Sequence, residues 1–345
     1  MTSFHGWTDL LGRVSAGEEL EPSEAGAAIS EILAGDATPA QIAGFVMAIK
    51  TRGERPAEIA GMVEAMLAAA EPLRLPAGAI DIVGTGGSAP RRTAALNVST
   101  MACFVAAGAG AVVCKHGNRK ATSTSGSTDL LDALGISVET DGEALGRCVE
   151  EVGVGFAFAK LFHPAMRFAG PVRAELGVPT LFNLLGPLSH PGRIDRQVIG
   201  VARPELGGLV ADALAVRGEE GRHLVVHGSD GLDELTLSGS SSVWSVEGGA
   251  VQRSTIHPSD VGLDVVAPGE LPGGDADENA AIARSVFAGE GGPASDIVAF
   301  NAGAGLVVAG RADDLAQGVA QAQAAIADGR AEERLEALIG HQQSV

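Results

Sequence analysis

From Trp7 to about Ala70 the apolar residues recur at helical spacing, as in Ile42, Phe45, Val46 and Ile49, with polar residues between them. Pro22, Pro39 and Pro56 stand beside helix starts, Thr38 is a natural N-cap ahead of Pro39, and Gly35 and Gly53 close two segments. The pattern predicts four short helices in a small all-α unit, residues 1–72, with an apolar face left to bury against something else, such as a second subunit. Residues 72–76, Pro-Leu-Arg-Leu-Pro, read as a linker, and the pattern then changes. A short strand at 79–83 precedes a glycine loop and an Ala/Val-rich helix beginning near Asn97; a strand at 111–114, a helix at 127–134 and a strand at 156–158 follow. Strand, loop, helix, strand is a crossover unit, so residues 73–345 are expected to form a larger α/β domain around a mostly parallel sheet. Ligands of such sheets sit beyond the carboxyl ends of the strands.

Residues 163–191 break the alternation with His163-Pro164, Pro171, Pro179, Pro187 and Pro191, which reads as a helical excursion, near 170–190, back to the first unit. Further strands are expected at 197–201 and 223–227 with a helix at 204–216 between them. Residues 243–246 and the stretch around Val251 suit a hairpin, and 275–340 is helical with a break at Gly291-Gly292-Pro293.

Composition narrows the function. A formal net charge of −19 and 3% aromatics without any Tyr argue against a nucleic-acid surface, which needs clustered cations and stacking platforms. The longest nearly apolar run, 101–114, is too short and glycine-rich to span a bilayer, and the first residues lack the pattern of a secretory signal. Cys103, Cys114 and Cys148 have neither metal-ligand nor CxxC spacing and read as buried thiols of a reducing compartment, so a cytoplasmic protein is expected.

Charge is distributed unevenly. Residues 82–128 contain no Asp or Glu, where an even spread of the 43 acids would place about six, yet they carry Arg91, Arg92, Lys115, Arg119 and Lys120. A glycine-rich, hydroxyl-rich, basic window in an acidic chain suits a small polyanion, because amides and cations approach phosphates there without competing carboxylates. Within it, Gly84-Thr85-Gly86-Gly87 is either a phosphate loop or only a tight turn; it lacks the Gly-Lys-Ser/Thr of a Walker A loop and the third glycine of a dinucleotide fingerprint. Asn97-Val98-Ser99-Thr100 opens the next helix, as a plain N-cap or as a phosphate cradle in which Ser99 lends an oxygen to Mg²⁺. Lys115-His116-Gly117-Asn118-Arg119, with Ser123, Ser125 and Ser127 after it, suits a pyrophosphate beside an amine or carboxylate substrate. Asp230, Asp233 and Glu234 end another strand, as a surface turn or as a Mg²⁺ site, and Arg173 offers a planar fork to a carboxylate or pairs with a neighbouring acid.

Taken together and in order, these stretches, with His163-Pro164, 171–173 and Phe182-Asn183-Leu184-Leu185-Gly186-Pro187-Leu188, resemble the anthranilate phosphoribosyltransferase family over nearly the whole chain. The resemblance implies transfer of the ribose 5-phosphate group of phosphoribosyl pyrophosphate (PRPP) to the amine of anthranilate with Mg²⁺, and a homodimer formed through the helical unit. Carried over by position, Gly84, Gly87, Ser88, Asn97, Val98, Ser99, Thr100, Lys115, Gly117, Asn118, Arg119, Ser123 and Ser127 would hold PRPP. Gly84, Asn118, His163 and Arg173 would hold anthranilate, Ser99, Asp233 and Glu234 the metal, and His116 is a candidate proton acceptor. The family loop usually reads Gly-Thr-Gly-Gly-Asp and is shorter; here Ser88 replaces the Asp, and Arg91 and Arg92 are expected to take over part of the phosphate contact. Two other readings stay open from residues alone: a related pentosyl transferase acting on another aromatic amine or a pyrimidine nucleoside, and a non-catalytic nucleic-acid-binding relative.

Overall fold

The computed structural model describes residues 4–88, 96–119, 125–218, 221–267 and 269–343. The chain opens with helices α1 (Trp7–Ser15), α2 (Pro22–Ala34), α3 (Pro39–Arg52) and α4 (Pro56–Ala68). Proline at the first turn of α2, α3 and α4 costs no hydrogen bond, since the amide there has no intrahelical partner, and Thr38 and Gln41 close a reciprocal capping box on α3. Ile29, Ile32, Phe45, Val46, Ile59 and Met62 point into one core.

Strand β1 (Asp81–Gly84) leads through the glycine loop towards α5 (Val98–Gly108), then β2 (Val113–Gly117), α6 (Ser127–Leu134), α7 (Gly142–Val152), β3 (Val154–Phe158) and the single turn α8 (Ala159–Phe162). Helices α9 (Gly170–Leu176) and α10 (Phe182–Leu188) come next, and Leu181, Phe182, Leu184, Leu185 and Leu188 join the core of α1–α4. The remainder is β4 (Arg196–Gly200), α11 (Glu205–Arg217), β5 (Arg222–Gly228), β6 (Ser241–Glu247), β7 (Ala250–Ile256), α12 (Ala276–Phe287), α13 (Pro293–Val308), α14 (Leu315–Ala327) and α15 (Arg330–Gln343).

Among the described residues the strands form one sheet in the order β1-β4-β5-β6-β7 and a pair β2-β3. β1, β4 and β5 are parallel, β6 and β7 add an antiparallel hairpin at the edge, and β2-β3 is parallel and joined to the larger sheet by the bridge between Ile80 and Val113. This is the expected α/β architecture with a helical bundle packed on a mostly parallel sheet. The carboxyl ends of β1 and β2 lie side by side, which brings their loops together.

One strand differs from the expectation. The segment read as a strand at 111–114 begins later and runs on through Lys115 and His116 to Gly117, paired with Val154–Phe158. Ala111 instead closes the end of α5, its amide donating to the Ala106 carbonyl at 3.0 Å. The polar Lys115 and His116 do not look like strand interior, yet both are buried, so the pair lies on a rigid strand rather than in a loop.

Candidate functional site

The glycine loop is fixed from below. Thr85 donates its amide to the Gly200 carbonyl at 2.8 Å, the Gly86 amide donates to Asp233 Oδ2 at 2.9 Å, and Ser88 Oγ donates to the Gly231 carbonyl at 2.6 Å. Gly86 and Gly87 have φ of +67° and +83°, the left-handed region in which a side chain is strained. A Cβ on Gly84 would lie 2.4 Å from Asp233 Oδ2, and one on Gly200 only 1.7 Å from the Asp233 carbonyl oxygen. The acidic turn is therefore seated directly beneath the loop through two glycines. Asp230 belongs to the turn itself, accepting from the Leu232 amide at 3.2 Å and from Thr236 Oγ1 at 2.6 Å. Asn301 of α13 clamps the turn's far side by exchanging bonds of 3.0 Å with the Leu235 amide and carbonyl.

The second wall comes from β2 and the start of α6. Lys115, 3% exposed, donates to the Ile82 carbonyl at 2.5 Å, and two further protons of its ammonium remain to serve an anion. Asp81 lies beneath it, fully buried, accepting from the His116 amide at 3.2 Å and from Gln197 Nε2 at 3.4 Å. Ser127 Oγ donates to the Asn118 carbonyl at 3.1 Å and packs so closely that a Cβ on Gly117 would meet it at 2.3 Å. Arg119 is held outward by Asp132 at 2.5 Å and Asp129 at 3.7 Å. Asn97 precedes α5 but does not cap it with its side chain: Nδ2 donates to the Ser125 carbonyl at 3.3 Å and Oδ1 accepts from Asn279 at 2.9 Å.

Between these walls is a cavity of about 210 Å³ that brings together Gly84, Gly87, Ser88, Asn97, Ser99, Thr100, Lys115, His116, Gly117, Asn118, Arg119, Ser127 and Asp233. Val98 faces the apolar core instead, because it begins the buried side of α5. Glu234, His163 and Arg173 do not line this cavity: Glu234 is buried beside Asp233, and His163 stacks behind His116 with ring centroids 5.2 Å apart. Arg173 sits on α9 with its guanidinium 5.5 Å from the Phe182 ring centre. Arg91, Arg92 and Ser123 lie outside the described residues. A larger groove of about 1180 Å³, between the 72–76 linker and α7, contains none of these residues.

Residues 8–70 match the helical bundle domain of a glycosyl transferase family, and residues 77–332 match the a/b domain of a glycosyl transferase family. The chain is similar to the anthranilate phosphoribosyltransferase of Thermomicrobium roseum, 48% identical over 334 residues and 95% of each chain. The crystal structure of the Thermus thermophilus enzyme of the same name superposes with a TM-score of 0.91 at 46% identity, covering 97% of this chain and 99% of that one. The chain belongs to the anthranilate phosphoribosyltransferases. The Saccharomyces cerevisiae member, solved in complex with PRPP and Mg, has a TM-score of 0.89 at 27% identity, covering 98% of both chains.

The donors around Asp233 suit the metal of that yeast anthranilate phosphoribosyltransferase complex. Two adjacent buried carboxylates, Asp233 and Glu234, and the Ser99 hydroxyl offer only hard oxygens. Mg²⁺ favours that chemistry, taking one or two carboxylates and leaving positions for water and substrate phosphate.

The sequence motifs give no role to Asp81, His190 or Asn279, which bond to residues 35, 76 and 182 positions away. Three buried imidazoles pack together here, His116 lining the cavity with His163 and His190 against it from behind. Burial pushes His116 well below its ordinary value, lowers His163, and takes His190 down to about 3; His223, elsewhere in the sheet, falls to about 4. Such histidines contribute stability that is present above their unfolded value of about 6.5 and lost as pH falls towards their folded values. Asp81 acts in the opposite sense: burial raises its carboxyl to about 7 against the pull of Lys115, so its contribution is lost as pH rises through 7. Near pH 5.5 each deeply shifted histidine removes about 1 kcal/mol per pH unit and Asp81 returns about as much, a net loss on the order of 2 kcal/mol between pH 6 and pH 5. The midpoint of urea unfolding should drop over that interval; a midpoint that holds or rises contradicts the assignment.

Proposed function

We propose that the chain transfers the 5-phosphoribosyl group of PRPP to the amine of anthranilate and releases pyrophosphate, with the cavity between the β1 and β2 loops as the PRPP site. The observation that carries this reading is the seating of Asp233 beneath the glycine loop, because it unites a phosphate loop and a metal carboxylate that are 147 residues apart. The amides of Gly87 and Ser88, the amino end of α5 and the remaining protons of Lys115 bind phosphate oxygens, the Thr85 and Gly86 amides being spent on Gly200 and Asp233. Asp233, Glu234 and Ser99 hold Mg²⁺, which when bound draws off charge from the leaving pyrophosphate.

In the transfer the bond from the anomeric carbon to pyrophosphate oxygen breaks as the bond to the amine nitrogen forms. An arylamine arrives neutral, so fixed donors on the departing group and correct placement supply most of the rate. One proton must then leave the product nitrogen. His116 suits that task, because burial keeps it neutral, the Gly186 carbonyl favours a proton on its ring, and among the described residues its buried Nε2 has no hydrogen-bond partner. Anthranilate is held by Gly84, Asn118 and His163, with its carboxylate on Arg173. Supporting this, Arg173 is half-buried, its basicity lowered by loss of solvent, and among the described residues it makes no ion pair.

The same proposal includes residues 1–72 with the 170–190 excursion as a helical domain through which two copies pair, and residues 73–345 as the PRPP-binding domain. Among the described residues no helix is long and apolar enough to cross a membrane, and all three thiols are buried and free, in keeping with a cytoplasmic enzyme. Loss of anthranilate fluorescence on adding PRPP and Mg²⁺ tests the activity, with 4-aminobenzoate and uracil as controls. The expected result is consumption of anthranilate with equimolar pyrophosphate. Pyrophosphate release with uracil and none with anthranilate would overturn the acceptor assignment.

A further inference from the structure

Two residues after α10, between Ser189 and Pro191, His190 is 2% exposed and bonded through both ring nitrogens. The Gly192 amide donates to Nδ1 at 3.0 Å. An amide can only donate, so Nδ1 is bare and the ring proton sits on Nε2, where it is donated to the Cys114 carbonyl at 2.9 Å. A second proton on this ring would face the Gly192 N–H, so both partners enforce one neutral tautomer.

Cys114 immediately precedes Lys115 and His116 on β2. The bond from His190 therefore grips the strand at the residue from which a phosphate-binding cation and the ring of His116 project. The neighbouring Ser189 carbonyl bonds His163 Nε2 at 2.9 Å, so one two-residue segment fixes both histidines that flank His116. Their rings stand 5.2 Å and 5.6 Å from the His116 ring centre, at 53° and 64° to its plane. With Nε2 of His163 and of His190 both turned to carbonyls, the trio is not a metal site but a stack whose innermost ring, His116, lines the cavity.

We propose that His190 is a positioning residue for the transfer: by bonding the Cys114 carbonyl and packing edge-on against His116, it holds the end of β2 in register with the phosphate loop. This rests on the reading of the cavity as the site of phosphoribosyl transfer. A misplacement of about 1 Å in such a site costs about 10²-fold in rate.

Two variants separate the positioning bond from ring packing. A Gln amide nitrogen reaches where Nε2 stood and keeps the donor to Cys114, whereas an Asn mimics the Nδ1 edge and loses that donor. Both remove the ring, so both should melt at similarly lowered temperatures. The expected result is that H190Q keeps kcat within about threefold of wild type while H190N loses about 10²-fold, with the KM for PRPP changed more than that for anthranilate. Equal activity of the two variants, high or low, would overturn the proposal. Should H190N fail to fold, nitrogen-15 spectra of histidine-labelled wild type decide: the proposal requires an unprotonated Nδ1 on His190 throughout pH 5 to 8, and an Nδ1–H or doubly protonated ring in that range refutes it. Wild-type turnover measured alongside keeps the outcomes distinct, since its absence counts against phosphoribosyl transfer and not against the role of His190.

Discussion

Asp233→Asn lowers kcat by about 10²- to 10³-fold, the range seen when one preorganised charge-stabilising group is removed from an active site. The substitution keeps an oxygen to accept from the Gly86 amide, so the loop retains the 2.9 Å bond that ties it to the acidic turn. What it removes is half of the negative charge available for Mg²⁺ among two adjacent buried carboxylates. The loss should therefore appear in turnover and in the Mg²⁺ concentration needed for half-maximal rate, with thermal stability little changed. A variant as active as wild type at limiting Mg²⁺ would remove Asp233 from the metal site.

Gly200→Ala is the second large effect, and it acts through backbone alone. Gly200 pairs with Gly84 on one side and Val226 on the other, inside the sheet, so its strand has no freedom to retreat. The added Cβ would sit 1.7 Å from the Asp233 carbonyl, so the turn carrying Asp233 and Glu234 must move away from the phosphate loop. Overpacking of this kind costs about 1–3 kcal/mol, and the displaced carboxylates should cost about 10²-fold in kcat. Gly12→Ala on α1, where a Cβ meets nothing within 4 Å, serves as the control and should be neutral or slightly stabilising. Measured kcat and melting temperature for both variants decide it; a fully active Gly200→Ala contradicts the packing described.

Local signals carried much of the architecture. Proline at the starts of α2, α3 and α4, the N-cap at Thr38 and the alternation of short apolar strands with Ala-rich helices are readable because they depend on residues only a few positions apart. The loops that line the cavity were legible for the same reason, as glycine and hydroxyl clusters next to strand ends. The long-range contacts were not. Asp81 looks like an ordinary strand residue until the fold buries it under Lys115, and Lys115 with His116 breaks the apolar pattern of β2 because their partners arrive from β1 and from His190, 76 residues beyond Cys114. Asn97 presented itself as a helix cap, but Asn279, 182 residues further on, redirects its side chain to brace Ser125 instead. By residue type the acids at 230–234 look alike, and the family resemblance singles out Asp233 and Glu234; the hydrogen bonds show what type alone does not, that Asp230 builds the turn while Asp233 faces the cavity.

The most direct test is a crystal structure of the chain with PRPP and Mg²⁺. The diphosphate should lie between the 84–88 loop and Lys115, with the metal joining it to Asp233 and Glu234. Density for PRPP at the groove beside α7, or anywhere out of reach of both Lys115 and Asp233, contradicts the account.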